Sequence, residues 1–143
     1  MAQRSSNSSN VTWRNYPHRS SVERFVEEVR RLDPLLVLLF GSLISGEFTQ
    51  YSDADVLAVF EYPVEWEAVY ACSDGIVQPI VKTRDELIAQ IGAGEPFFCE
   101  IVEQGQVLLD AGGTHEWLRR QVAVARDRWG LERASGGWRW VGG

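Results

Sequence analysis

Cysteine is scarce in this chain. Cys72 and Cys99 are the only two, they lie far apart, and neither has a C-x-x-C or Cys/His spacing around it. That argues against a disulfide framework or a cysteine-bound metal and predicts buried, reduced thiols. Long apolar runs are also missing. No segment reaches the ~18 apolar residues of a membrane span, and the first residues lack the apolar core of a signal peptide. A cytoplasmic protein with no membrane partner is therefore expected. Positive charge is in deficit: 14 Lys and Arg face 20 Asp and Glu, for a formal net charge of -6. General binding to nucleic-acid backbones needs clustered cations and is not expected, although an acidic chain can still hold a nucleotide through a metal. The two histidines, His18 and His115, have no partner at metal-ligand spacing, and His115 reads as a surface residue.

What is present fits one domain, since 143 residues can bury a core without disulfides or structural metal. Residues 1–17 read as a mobile tail rich in Ser and Asn, and residues 18–143 as the domain. Trp13 and Tyr16 either dock on that domain or stay available to a partner. Ser20 and Glu23 have the spacing of a capping box, which opens a helix with Val22, Phe25, Val26 and Val29 on one face. Asp33-Pro34 stops it. After Pro63 a short helix should turn Trp66, Val69 and Tyr70 inward. Ile76 to Lys82 reads as a strand, and Pro79 inside it marks a sheet edge or a bulge. Thr83 and Glu86 form a second capping box over Leu87, Ile88 and Ile91. Pro96 opens a helix with Phe97, Phe98, Ile101 and Val102 as its apolar face, followed by a short strand at 107–109. Thr114 caps a terminal helix with Trp117, Leu118, Val122, Ala125 and Trp129 buried and Gly130 as its stop. Gly137 to Val141 is a small strand or an arm, and Trp138-Arg139-Trp140, if exposed, would form an interaction surface. The alternation of strands and helices gives an α+β fold class with α/β-like order, a small mixed sheet packed with helices.

One stretch organises the rest: Leu36 to Phe60, LVLLFGSLISGEFTQYSDADVLAVF. Two apolar runs flank a Gly-Ser turn and a polar loop, which predicts strand, short helix (42–47), loop and strand (53–60). Asp53 and Asp55 stand at i and i+2, so on a strand their side chains leave one face, with Cα atoms roughly 6.5 to 7 Å apart. Two acids on one face of a buried strand call for a positive partner. Mg²⁺ suits them, because it takes one or two carboxylates and leaves room for substrate phosphates. Gly41 and Gly46 suit a backbone that approaches a ligand closely, and amides after Gly41 would face an anion.

From Gly41 to Val59 the chain resembles the minimal nucleotidyltransferases of the DNA polymerase β superfamily. Their pattern is Gly-Ser after the first strand, a second glycine, then Asp-x-Asp at the head of the next strand. Here Gly41, Ser42, Gly46, Asp53 and Asp55 carry it. The resemblance extends over about Ser20 to Asp110. It implies Mg²⁺-dependent transfer of a nucleoside monophosphate from an NTP, ATP foremost, to an acceptor hydroxyl, with two metal ions about 3.5 to 4 Å apart. Asp53 and Asp55 would be the catalytic, metal-binding pair, and Gly41, Ser42, Gly46 and Ser52 the nucleotide-binding residues. It also implies partners: a nucleotide, and either a helical protein of the HEPN type, as in toxin–antitoxin pairs, or a second copy in a homodimer. The chain departs from the pattern in two ways. Leu43 and Ser45 stand where relatives carry basic residues, and Gln78 stands where a third metal-binding acid is expected, with Asp74 or Glu61 as substitutes. The enzyme reading thus has a rival, a nucleotide- or partner-binding module that keeps the fold without catalysis.

Overall fold

The apolar run before the Gly-Ser turn forms β1 (Leu36–Phe40), buried at every residue but the last. It sits between two antiparallel neighbours, β2 (Ala54–Phe60) and β4 (Gln106–Asp110), while β3 (Val77–Thr83) pairs parallel to β2. The result is a four-stranded mixed sheet in the order β3-β2-β1-β4. The computed structural model describes residues 13–129 and, for two further strands, the backbone of Leu131–Ala134 and Gly137–Trp140.

Strand alternation divides the core between the two faces of the sheet. Val37, Leu39, Ala54, Val56, Ala58 and Val77 point to one side. There they meet α1 (Arg19–Val29) through Val22, Phe25 and Val29, α2 (Ser42–Ser45) through Leu43, and α3 (Trp66–Tyr70) through Val69. Leu36, Leu38, Leu57 and Val59 point to the other. They are covered by α4 (Arg84–Gly92), α5 (Pro96–Gln104) and α6 (Thr114–Trp129), through Leu87, Ile91, Ile101, Val102, Leu118 and Val122. Helices on both faces explain why β1 and β2 read as nearly unbroken apolar runs. The architecture is α+β, as the alternation implied. Among the described residues no helix is long and apolar enough to cross a membrane.

The edge position of β3 accounts for Pro79, whose missing N–H would break a central ladder. The capping box at α4 is complete: the Glu86 amide donates to Thr83 Oγ1 at 3.0 Å, and the Thr83 amide to Glu86 Oε1 at 2.9 Å. The one expected at Ser20 and Glu23 does not form. Helix α1 starts two residues earlier than that cap would place it, with His18 at its N-cap and no side-chain cap. The Arg19 amide bonds the Tyr16 carbonyl at 3.1 Å, so the chain already coils as it leaves the buried Tyr16, and Glu23 pairs with Arg19 at 3.2 Å instead.

Three aromatic residues expected inside lie at the rim. Trp66 and Trp129 are each 43% exposed because their indole N–H groups need acceptors: the carbonyls of Pro79 at 2.8 Å and Gly92 at 2.6 Å. Phe97 is the third. His115 is only half-buried, with Nε2 2.9 Å from the Val102 carbonyl. Both cysteines are buried and free, and burial pushes the Cys99 thiol up to about 11. At the C-terminal end, β6 (Gly137–Trp140) is a strand antiparallel to β5 (Leu131–Ala134), and its backbone lies against α5. Gly130 and the side chains of Trp138, Arg139 and Trp140 lie outside the described residues.

The aromatic handles of the N-terminal segment dock. Trp13 and Tyr16 are only 6% and 2% exposed and belong to the first core, so packing begins no later than Trp13. A mobile tail would tolerate any change there. Trp13→Ala should instead cost about 3 kcal/mol, read as a lower urea midpoint. Trp13→Phe should be tolerated much better, because the indole N–H has no acceptor among the described residues.

Candidate functional site

The site begins where β1 ends. Gly41 has φ 82 and ψ -147, a conformation that side chains strongly disfavour. A Cβ at this position would come within 2.8 Å of Asp55 Oδ2. Glycine is thus required twice, for its dihedrals and for the approach of the turn to Asp55. The chain then winds into α2, with the Ile44 and Ser45 amides both 3.0 Å from the Gly41 carbonyl. Gly46, left-handed at φ 88, ends the helix and returns its amide to the Ser42 carbonyl at 2.9 Å. The amides of Ser42 and Leu43 precede the first intrahelical donor. The Leu43 side chain is fully buried, so the position where the resemblance places a cation is a packing position here. Ser45 is exposed, and its hydroxyl donates to the Ser42 carbonyl at 3.3 Å.

The loop from Phe48 to Asp53 is folded on itself and strapped down. The Thr49 amide donates to Ser52 Oγ at 2.9 Å, and the Ser52 amide to the Thr49 carbonyl at 3.1 Å. The Tyr16 hydroxyl donates to the Ser52 carbonyl, and its ring meets Phe48 edge-on at 5.6 Å. His18 Nε2 lies 3.1 Å from the Gln50 carbonyl. Ser52, expected among the nucleotide-binding residues, therefore shapes this loop and does not line the cleft described below. The strap fixes the residue that immediately precedes Asp53. Burial raises the Tyr16 phenol pKa, and the charges of Asp53 and Asp55 push it the same way.

Asp53 is exposed just ahead of β2, and Asp55 is half-buried on its second residue. Burial raises the Asp55 carboxyl above the usual carboxylate range, and the Asp53 charge adds to the rise. In the sheet Phe40 pairs with Asp55, and Asp55 with Gln78. Directly paired residues leave the same face, from strands about 4.8 Å apart. Of the three residues considered for a third metal position, Gln78 alone joins this row. Its Nε2 donates to the Gly75 carbonyl at 3.0 Å. Asp74 is tied to α1, which covers the opposite face: the Ser21 hydroxyl reaches it at 2.7 Å, and the Ile76 amide at 3.2 Å. Those bonds hold the Asp74 carboxyl below its usual range. Glu61 follows the far end of β2, roughly 20 Å along the strand from Asp55, and is paired with Arg84 at 2.9 Å. Among the described residues no cluster of three or more His, Cys, Asp and Glu could hold a metal. The donor set is two carboxylates close enough to repel, hard oxygens of the kind that suit a divalent cation.

Asp55 opens into a cleft of about 780 Å³, of the size that holds a drug- or cofactor-sized ligand. One wall is the Gly-Ser turn and α2, from Gly41 and Ser42 to Glu47. The other is one stripe of α5: Phe97, Glu100, Ile101 and Gln104, at i, i+3, i+4 and i+7. Sequence patterning did not single out this wall.

The strained charge at Asp55 has a thermodynamic sign. Because its folded-state carboxyl is raised, the folded protein holds this proton more tightly than the unfolded chain. Stability should fall as pH rises from the ordinary carboxylate value through the raised one, and stay reduced above it. Asp55→Asn should therefore raise the melting temperature at pH 7 in chelator, against the usual direction of substitutions at half-buried sites. Differential scanning calorimetry with and without Mg²⁺ checks this, and the gain should vanish when wild type is given Mg²⁺.

A family model described as a nucleotidyltransferase domain matches residues 22–108. Among solved structures, the chain is similar to a candidate nucleotidyltransferase from Sulfolobus solfataricus, at 26% identity over 59% of this chain and 82% of that one, with a TM-score of 0.43. No curated protein matches significantly. The family match runs from α1 into β4 and takes in both walls of the cleft, the Gly-Ser turn and both aspartates. The chain belongs to the nucleotidyltransferase domain family.

Proposed function

We propose that the protein transfers a nucleoside monophosphate from an NTP, ATP foremost, to an acceptor hydroxyl, with release of pyrophosphate and dependence on Mg²⁺. The observation that carries this reading is Asp55 set against the Gly41-Ser42 turn at a cleft of nucleotide size, with Asp53 two residues before it. Asp53 and Asp55 would hold the cation. Bound there, Mg²⁺ supplies positive charge to phosphoryl oxygens and to the leaving pyrophosphate. The Ser42 hydroxyl and the leading amides of α2 position the triphosphate, in place of the side-chain cations that Leu43 and Ser45 do not provide. Gln78 stands in the third place of the row, where its amide oxygen offers a neutral ligand. The acceptor in this reading is a hydroxyl on a protein partner, the helical HEPN-type companion implied by the resemblance.

A second reading has an observation of its own. Gln78 brings no charge and cannot take the acceptor's proton as a carboxylate would, which favours a module that binds a nucleotide or a partner without turnover. Two experiments separate the readings. Isothermal titration calorimetry should show ATP binding to wild type that needs Mg²⁺ and is lost in the Asp53→Asn, Asp55→Asn double variant. Absence of any metal-dependent NTP binding would sink the enzyme. Label from α-labelled ATP should appear on the acceptor only if the first reading holds. Gln78→Glu places a third carboxylate beside Asp55 and should tighten Mg²⁺ binding severalfold. Asp74→Ala, which acts on the other face, should leave it unchanged.

A further inference from the structure

We propose that Phe97 is the base platform of this nucleotide site, with the nucleobase stacked on its open ring surface and its N–H edge turned to the Glu100 carboxylate. The inference rests on the nucleotide-binding reading above and extends it to the part of the ligand that the Gly-Ser turn and the aspartates do not touch. Helix α5 buries Phe98, Cys99, Ile101 and Val102, yet Phe97 stays 50% exposed. A ring left in water in a helix with ample core contacts forgoes on the order of 1 kcal/mol of burial.

The ring is nonetheless held. It meets Phe40 at 5.9 Å and 85° and Phe98 at 5.1 Å and 74°. Two near-perpendicular neighbours set its orientation, and the half-exposed ring lines the cleft, so little ordering remains to oppose stacking. Its location is equally specific. Phe40 precedes Gly41 and pairs with Asp55 across the sheet, so one strand spacing and one ring contact separate Phe97 from the acid pair, a span that a single nucleoside bridges. One turn further along α5, Glu100 lines the same cleft, and Gln104 follows it. A carboxylate accepts hydrogen bonds and donates none. It suits an exocyclic amino group, as on adenine, guanine or cytosine, and disfavours uracil, whose single N–H lies between two carbonyl oxygens.

The test compares Mg²⁺-dependent binding of ATP with that of inorganic tripolyphosphate, which has the phosphates and no base. Phe97→Ala should weaken ATP about tenfold, within the range for loss of one stacked base, and leave tripolyphosphate unchanged, while Phe97→Trp should keep ATP affinity. Glu100→Gln should narrow the preference for ATP over UTP. Equal losses for both ligands would show that Phe97 merely supports the fold, and an unchanged ATP affinity would overturn the platform outright. Should wild type bind tripolyphosphate and ATP alike, the platform fails while the phosphate and metal site stands. If wild type binds neither, the nucleotide reading itself falls and this inference with it. Because Phe97 is half-exposed, circular dichroism of Phe97→Leu and Phe97→Ala should match wild type.

Discussion

The backbone of Gly41 passes so close to the Asp55 carboxylate that no side chain fits between them, and the rest of the site follows from that approach. It brings the end of β1 against the beginning of β2, sets the direction in which α2 leaves, and half-encloses a charge that would otherwise be solvated. Partial burial and the neighbouring Asp53 make the Asp55 charge unfavourable in the free protein. A cation placed beside Asp55 would relieve that cost. A steric requirement at one glycine thus becomes a carboxylate whose charge lacks compensation.

The two faces of the sheet divide the work. On the first, α1, the buried Leu43 and the docked residues Trp13 and Tyr16 hold the loop that leads to Asp53. On the second, the row Phe40, Asp55 and Gln78 looks out beside α5 and the cleft. Alternation along β2 is what keeps these roles apart: Ala54 and Val56 pack under α1, while Asp55 between them is directed to the ligand side. A one-residue slip in the register of β2 would bury the acid and expose the core.

Much of this was legible in the sequence where a local rule sufficed. Thr83 and Glu86 needed only each other to form a cap, Pro79 needed only its missing N–H to mark an edge or a bulge, and the Gly-Ser turn with its Asp-x-Asp followed from spacing. What was not legible depended on long-range contacts. Ser20 and Glu23 had the same spacing as the working cap, yet the buried Tyr16 had already started the helix. Trp66 and Trp129 went to the rim because their acceptors lie in other elements. Asp74 and Glu61 stayed open as substitutes for Gln78 until the parallel pairing of β2 with β3 set which residue stands beside Asp55. Phe97 read as core because periodicity on one helix does not show which wall of a cleft that helix forms.

The strap from Tyr16 and His18 to the loop before Asp53 lies ahead of residue 22, where the family match begins. The unit recognisable by its pattern and the unit that holds the loop before Asp53 in place are therefore different lengths of chain. Cut at residue 22, the chain would keep both aspartates and every strand of the main sheet while losing the outside support of the loop that leads to Asp53. Portability of the domain, whether as a fusion partner or as a graft onto another scaffold, is limited by that borrowed anchor more than by the motif itself.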